Sequence, residues 1–415
     1  MIRILISCVL LAWPLLGCAR RAQSIEPLAI QVSSPDADAA EPAIATAPDG
    51  TVYVVWVEHR EGGGADVLLG QYDQSGVAKG PPVRVNPKKG EATAWRGDPP
   101  TVAVAPDGTA CVGWTSRVPE RPHSTNLYVS VSRDQGRRFE PPVKVHDDQK
   151  PGPHGMHAMA IALDNKIYVT WLDERNLPSP AGEKSKAGHK HMEANRDLFV
   201  AVSSDGGKTF SSNRQIASDV CPCCKTSLAI APDGRIYASW RQVLPGNLRH
   251  IAVASSTDRG ETFSGPVIVS DDRWMLAGCP VSGSSLSVSE GGRLQVLWYS
   301  AGEAGPTGVY SSESHDGGKS FTPRRLVAEG LAQGTPVLLT RLDGSKAIWQ
   351  SDQGAKARVI TASLDSGRAK TASLNVAANS QLPAASFVRD QLVIAYIRQA
   401  ANDRRSVWLF KKPIV

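Results

Sequence analysis

The stretch AIATAPDGTVYVVW (residues 43–56) has two alternating apolar segments around a Pro-Asp-Gly turn and ends in a tryptophan. Period-two alternation on both sides of an Asp-Gly pair predicts a two-stranded β-hairpin. The pattern recurs as TVAVAPDGTACVGW (101–114), MAIALDNKIYVTW (159–171), LAIAPDGRIYASW (228–240), LSVSEGGRLQVLW (286–298) and, in degenerate form, VLLTRLDGSKAIW (337–349) and ASFVRDQLVIAY (385–396). Counting the closing aromatic residues gives seven repeats.

A second hairpin completes each of several repeats. Its turn reads SRDQGRRF (132–139), SSDGGKTF (203–210), STDRGETF (256–263) and SHDGGKSF (314–321), and a short apolar strand follows. Four strands per repeat predict an all-β propeller of four-stranded antiparallel blades, seven by repeat count. The last repeat lacks a fourth strand, and LAIQVSS (28–34) is available to supply it and close the ring.

The Ser-x-Asp-x-Gly-x-x-Phe turns resemble Asp-boxes, also called BNR repeats, and the chain is similar to the sialidase superfamily of propellers over residues 27–415. The resemblance implies a propeller, with six blades as the alternative, because six are usual in sialidases. In such a turn the Asp caps backbone N–H groups and the Gly adopts a positive φ. These requirements are structural, so the motif indicates architecture and leaves the chemistry open.

The N-terminal residues MIRILISCVLLAWPLLGC (1–18) contain one early arginine and an apolar stretch too short to span a bilayer. Their ending, Leu15-Leu16-Gly17-Cys18, resembles the lipobox of bacterial lipoproteins. The resemblance implies a signal peptide over 1–17, lipidation of Cys18 and a tether over 18–26. Ala19 after the cysteine favours the outer membrane of a bacterial envelope. The protein would then be attached to the membrane through its lipid anchor.

The net charge is +6 at pH 7 and is dispersed along the chain. A charge so weak and scattered argues against nucleic acid as a partner. A glycan or another envelope protein is the alternative that the family resemblance and the predicted compartment leave open.

Hairpin geometry predicts which loops share a face of the propeller. The Pro-Asp-Gly turns and the Asp-boxes lie on one face, and the crossovers between blades lie on the other. The crossover face carries GPHGMHAM (152–159), the loop 173–196, VCPCC (220–224) and WMLAGCPVSG (274–283). The predicted rim therefore contains His154, Met156, His157, His189, His191, Met192, Cys221, Cys223, Cys224 and Cys279. Cys111 aligns with blade-packing tyrosines of other repeats and is assigned to the core.

The rim cysteines admit two interpretations. An extracytoplasmic compartment favours disulfides, and a vicinal Cys223–Cys224 bond together with Cys221–Cys279 is one of three pairings. The spacing matches no common zinc knuckle, and a bond between neighbouring cysteines is strained. If the thiols are reduced, thiolates with imidazole and the thioether of Met156 suit copper. The histidines could equally be ordinary loop residues.

A working exo-α-sialidase needs arginines that clamp a carboxylate, a tyrosine nucleophile and an acidic residue, as the family resemblance implies. The candidates are Arg60, Asp98, Arg175, Arg241 and Tyr299. The Phe-Arg-Ile-Pro stretch that carries the family's first arginine is missing. Three hypotheses follow: a propeller that binds a ligand or metal without glycosidase activity, a glycoside hydrolase, and a scaffold that docks another protein.

Overall fold

The structure is a computed structural model that describes residues 29–93, 98–121, 123–150, 152–177, 194–352, 356–364, 370–373 and 379–414. The predicted signal peptide, the lipidation site Cys18 and the tether lie outside the described residues. The same holds for His189, His191 and Met192 of the predicted rim.

The described chain consists of β-strands and one short 3-10 turn at Pro245–Asn247. In chain order the strands are β1 (Ile30–Gln31), β2 (Asp38–Thr46), β3 (Val52–His59), β4 (Ala65–Tyr72), β5 (Val83–Arg84), β6 (Thr101–Val104), β7 (Ala110–Arg117), β8 (Thr125–Ser132), β9 (Val143–Lys144), β10 (His154–Ile161), β11 (Ile167–Asp173), β12 (Arg196–Ser203), β13 (Arg214–Val220), β14 (Ser227–Ile230), β15 (Ile236–Leu244), β16 (Leu248–Ser256), β17 (Val267–Ile268), β18 (Ser284–Val288), β19 (Leu294–Ser300), β20 (Gly308–Ser314), β21 (Arg325–Glu329), β22 (Ala332–Arg341), β23 (Gly344–Ser351), β24 (Arg358–Ser363), β25 (Lys370–Ser373), β26 (Ser380–Val388), β27 (Gln391–Gln399) and β28 (Arg405–Pro413).

Consecutive strands pair antiparallel in groups of four, as the repeats predict. Five sheets contain four strands each, and a sixth contains eight because Val220 of β13 pairs with Gln242 of β15. The last sheet has the order β1-β28-β27-β26, with Ile30 opposite Leu409. The predicted all-β class and the four-stranded antiparallel sheets are confirmed.

The innermost strands are the first strands of successive repeats. Each of β2, β6, β10, β14, β18, β22 and β26 contacts the next, and β26 contacts β2. The hydrophobic core lies between neighbouring sheets, where the closing residues Trp56, Trp114, Trp171, Trp240 and Trp298 are fully buried. Cys111 belongs to this core and packs with Leu127 and Trp171.

The Ser-x-Asp-x-Gly turns close on themselves. Ser203 donates a hydrogen bond of 2.8 Å to Asp205 and accepts one of 2.8 Å from the Gly207 amide. The Asp205 carboxylate also accepts from the amides of Lys208 and Thr209, at 3.0 Å each. These carboxylates are therefore used within their own turns. Among the described residues, no helix has the length and apolar character needed to cross a membrane.

Candidate functional site

Irregular backbone recurs where the inner strands begin. The residues Glu41, Met156, Val281 and Leu382 have positive φ angles of 53°, 54°, 47° and 44°. The pairing register shifts at this point in several sheets, for example between Gly155 and Ala158 of β10. A non-glycine residue in the left-handed region costs about 1 kcal/mol or more, and such positions cluster at functional sites. These irregular residues surround one end of the space between the inner strands, which we call the channel mouth, and they mark it as a candidate site.

A cavity of about 410 Å³ lies at this mouth. Each of the seven repeats contributes to its wall, through Glu41, Thr101, Met159, Lys225, Ser285, Thr335 and Leu382 among others. The opposite end of the channel is lined by residues of the Pro-Asp-Gly turns, including Pro48, Gly50 and Pro106. Neither Asp205 nor Asp258 lines the cavity that contains Cys223. The Pro-Asp-Gly turns therefore lie at one end of the channel and the residues of the crossovers at the other, as hairpin geometry predicts.

Lys225 is the basic group of this cavity wall. Its ammonium donates a hydrogen bond of 2.8 Å to the Pro99 carbonyl. Burial lowers the pKa of Lys225 to about 8, although the charge of Asp98 acts in the opposite direction. An amine with a pKa near neutrality in a cleft is typical of functional positions.

Asp98 and His157 form a buried pair whose charge acts on Lys225. The two side chains are buried, and Asp98 Oδ1 lies 3.5 Å from His157 Nδ1. Burial would raise the pKa of Asp98, but His157 and Lys225 together hold it below its ordinary value. Asp98 is thus a buried counter-ion, whereas the glycosidase hypothesis listed it as a candidate catalytic acid. His157 lies beside Asp98 instead of binding among the cysteines.

The four rim cysteines are brought together between the fourth and fifth repeats. A disulfide joins Cys223 and Cys279, whose Cα atoms are 6.2 Å apart. Cys221 Sγ lies 3.2 Å from Cys224 Sγ and 4.0 Å from each sulfur of the disulfide. Met156 packs against this cluster. The pairing differs from the vicinal Cys223–Cys224 bond that was one of the three possibilities, because Cys224 faces Cys221 and leaves Cys223 directed at Cys279.

Two of these cysteines remain free thiols, Cys221 and Cys224. Two residues separate them in the sequence, and this is the spacing of paired cysteines in zinc knuckles, contrary to the expectation that the motif matches none. The sulfurs of Cys221, Cys223 and Cys224 are close enough to share a metal ion. The bond from Cys223 to Cys279, however, removes one of these sulfurs from a metal-binding set. The disulfide arrangement therefore describes this cluster better than the copper site.

The free thiols differ in their electrostatics. The hydrogen bond from Cys224 and the charges of Arg249 and Arg241 lower the pKa of Cys221 to about 6, against the effect of burial. Burial and the neighbouring Cys221 raise the pKa of Cys224. The two shifts run in opposite directions and favour the proton on Cys224 over Cys221.

His154 lies away from the cysteines, in a cluster with His146 and Asp148. Asp148 Oδ1 is 2.6 Å from His146 Nδ1 and 3.0 Å from His154 Nε2. The two imidazole rings are stacked with centroids 3.6 Å apart. Because an imidazole binds a metal in the plane of its ring, two stacked rings cannot both direct a lone pair at one ion. Burial and the charge of His154 lower the pKa of His146 to about 4, so His146 is neutral at pH 7.

The predicted sialidase residues do not form a carboxylate clamp. Arg60 is paired with Asp66, and Arg175 is paired with Asp173. Arg241 is fully buried and donates to the carbonyls of Ser282 at 2.9 Å and Tyr299 at 3.0 Å. The Tyr299 ring is packed edge-on against Trp274, with centroids 5.6 Å apart. Each of these side chains is held by separate partners, so the candidates of the glycosidase hypothesis are not brought together in one clamp.

Four-stranded antiparallel sheets, whose first strands surround a central cavity, define a β-propeller fold. No family model matches the chain, and no curated protein sequence is significantly similar to it. The similarity to solved structures lies in the fold alone.

A protein of unknown function from Dyadobacter fermentans has a TM-score of 0.55 at 14% identity, over 93% of this chain and 98% of that one. An ulvan lyase from a new family of polysaccharide lyases has a TM-score of 0.57 at 13% identity, over 92% and 95%. A mutant Trypanosoma rangeli sialidase that displays trans-sialidase activity has a TM-score of 0.52 at 13% identity, over 88% and 59%.

Proposed function

We propose that this protein binds an anionic saccharide at the mouth of its central channel and does not act as a sialidase. The observation that carries the proposal is the cavity of about 410 Å³ with the Lys225 ammonium in its wall. The volume falls in the range of small-molecule sites. A carboxylate of a uronic or sialic acid would pair with Lys225, and the hydroxyls of Ser285 and Thr335 would form hydrogen bonds with sugar hydroxyls.

The solved structures support a glycan as the ligand class. An ulvan lyase bound to a glucuronate-containing saccharide and a sialidase share this fold at low identity. The separate pairing of Arg60 and Arg175 with neighbouring carboxylates argues against the glycosidase alternative.

The ring itself is part of the proposal, because a channel mouth requires closure. We take the repeats as seven blades, with β1 as the outer strand of the blade formed by β26, β27 and β28. The pairing of β1 with β28 and the contact of β26 with β2 support this closure.

Attachment to the bacterial envelope through a lipid on Cys18 completes the proposal. The lipobox-like Leu15-Leu16-Gly17-Cys18 supports it. Expression of Cys18→Ser in a diderm bacterium should move the protein from the membrane fraction to the soluble fraction. Retention of the variant in the membrane would count against lipidation. A docking role toward another envelope protein is the remaining alternative, and a saccharide competitor would not affect it.

The binding test compares two lysine variants. Calorimetric titration with uronate-containing and sialylated oligosaccharides should show binding to the wild type and at least about tenfold weaker binding to Lys225→Met, because the charge pair is lost. Lys208→Met is the matched control, since Lys208 is exposed in an Asp-box turn on the opposite face. Equal affinity of neutral and anionic oligosaccharides, or unchanged binding to Lys225→Met, would refute the proposal.

A further inference from the structure

The cysteine cluster combines a disulfide with a dithiol in one small volume. Cys221 and Cys224 are fully buried free thiols, and Cys221 Sγ is 4.0 Å from both Cys223 Sγ and Cys279 Sγ. Cys279 is exposed to solvent, whereas Cys223 is buried and borders the channel-mouth cavity. A purely structural staple between two blades would need only the two bonded cysteines.

We propose that these four cysteines form a thiol–disulfide exchange centre with two isomeric states. Cys221 thiolate attacks Cys223 Sγ, the Cys223–Cys279 bond breaks, and Cys279 leaves as an exposed thiolate. Cys224 then transfers its proton to the departing thiolate and attacks Cys221 Sγ, which breaks the transient Cys221–Cys223 bond. The products are a Cys221–Cys224 disulfide, a thiolate on Cys223 and a thiol on Cys279. One disulfide is lost and one is formed, so no external oxidant or reductant is consumed.

Buried positive charge supports the nucleophile. Arg241 and Arg249 are almost completely buried, and Arg241 Nη1 and Arg249 Nε and Nη1 have no hydrogen-bond partner. Buried guanidinium N–H groups that lack an acceptor are costly unless an anion lies nearby. Both arginines act on Cys221, where they favour the thiolate that starts the exchange.

The positions of the sulfur atoms show which side chain must move before the exchange can start. Exchange proceeds through a mixed disulfide in which the attacking, central and leaving sulfurs are aligned. Cys221 Sγ is equally distant from the two bonded sulfurs, so it must rotate before it attacks. The 3.2 Å contact with Cys224 places the resolving thiol at the nucleophile from the beginning. Cys223 links the exchange to the saccharide cavity, although the exchange itself does not depend on saccharide binding.

The experiment follows the exposed sulfur. Full-length purified protein is incubated under native conditions with a maleimide, quenched in acid, and mapped by peptide mass spectrometry without reduction. The wild type should acquire label at Cys279 and, in the same molecules, a Cys221–Cys224 disulfide. Cys221→Ser should slow the labelling of Cys279 by about tenfold or more, because the attacking thiolate is lost.

Two further variants keep the test decisive. Cys224→Ser should still release Cys279 but accumulate the Cys221–Cys223 bond, which shows the resolving role independently of Cys221→Ser. Cys111→Ser removes a buried cysteine of another core cluster and should label like the wild type. The proposal is overturned if Cys221→Ser labels as fast as the wild type, if only Cys223–Cys279 is ever found, or if elemental analysis finds all four thiols on a stoichiometric metal.

Discussion

Replacing Lys225 with methionine should stabilise the protein at neutral pH while it removes the proposed saccharide contact. Burial lowers the pKa of Lys225 from 10.5 to about 8, and this difference corresponds to a penalty of about 3 kcal/mol for the charged amine. The lost hydrogen bond to the Pro99 carbonyl returns about 1 kcal/mol, and partial exposure of the side chain reduces the penalty further. The free energy of unfolding of Lys225→Met should therefore exceed that of the wild type by about 1–2 kcal/mol at pH 7.

The advantage of the methionine should depend on pH in a defined direction. Between pH 8 and pH 10.5 the lysine binds more protons in the unfolded state than in the folded state. The free energy of unfolding of the wild type therefore rises with pH relative to that of the variant. The excess stability of Lys225→Met over the wild type should be largest below pH 8 and should disappear toward pH 10.5. Urea unfolding of both proteins at pH 7 and pH 10 measures it, with Lys208→Met as an exposed control that should change stability by less than about 0.5 kcal/mol. A pH-independent difference, or a variant that is less stable at pH 7, would refute the reasoning.

Three further outcomes are expected. Val32→Asp should lower the free energy of unfolding by about 3 kcal/mol, because it places a charge at a buried position next to β1, the strand that we propose closes the ring. An unchanged midpoint of urea unfolding would show that the ring does not need this strand. Asp205→Ala should lower the free energy of unfolding by about 1 kcal/mol, because the turn loses its cap, and it should leave saccharide affinity unchanged. A loss of binding measured by calorimetry would contradict the assignment of the two faces. Hydrolysis of a fluorogenic sialoside should be undetectable, and turnover that Arg241→Ala or Tyr299→Phe abolishes would restore the glycosidase hypothesis.

The repeats made most of the fold predictable from sequence. The long strands β3, β7, β11, β15 and β19 lie where alternation and the closing tryptophans place them, because both signals are local. The outer strands β5, β9 and β17 have only two residues each and carry little pattern. The junction of β13 with β15 depends on one residue pair and has no sequence signal.

The site was less predictable because the backbone breaks the alternation on which the prediction relied. In a regular strand His154 and Met156 would lie on one face, and His157 on the other. The positive φ of Met156 and the register shift between Gly155 and Ala158 separate them. His154 then turns toward Asp148, His157 turns toward Asp98, and Met156 alone reaches the cysteines. The disulfide partner was likewise decided by distances of a few ångströms among four cysteines, which spacing does not fix.

The buried arginine next to the cysteines distinguishes the fourth repeat from the rest. Arg241 directly follows the closing tryptophan, and the other repeats carry at this position Val57, Thr115, Leu172, Tyr299, Gln350 and Ile397. Because the other six repeats all have a neutral residue at this position, the fold does not require a positive charge there. A fully buried guanidinium with an unpartnered Nη1 lowers stability unless it faces an anion. Arg241 Cζ also lies 4.8 Å from the centroid of the Trp274 ring, so part of its charge faces an aromatic ring. The same charge favours the thiolate form of Cys221, and we therefore assign it to the chemistry of the proposed exchange centre.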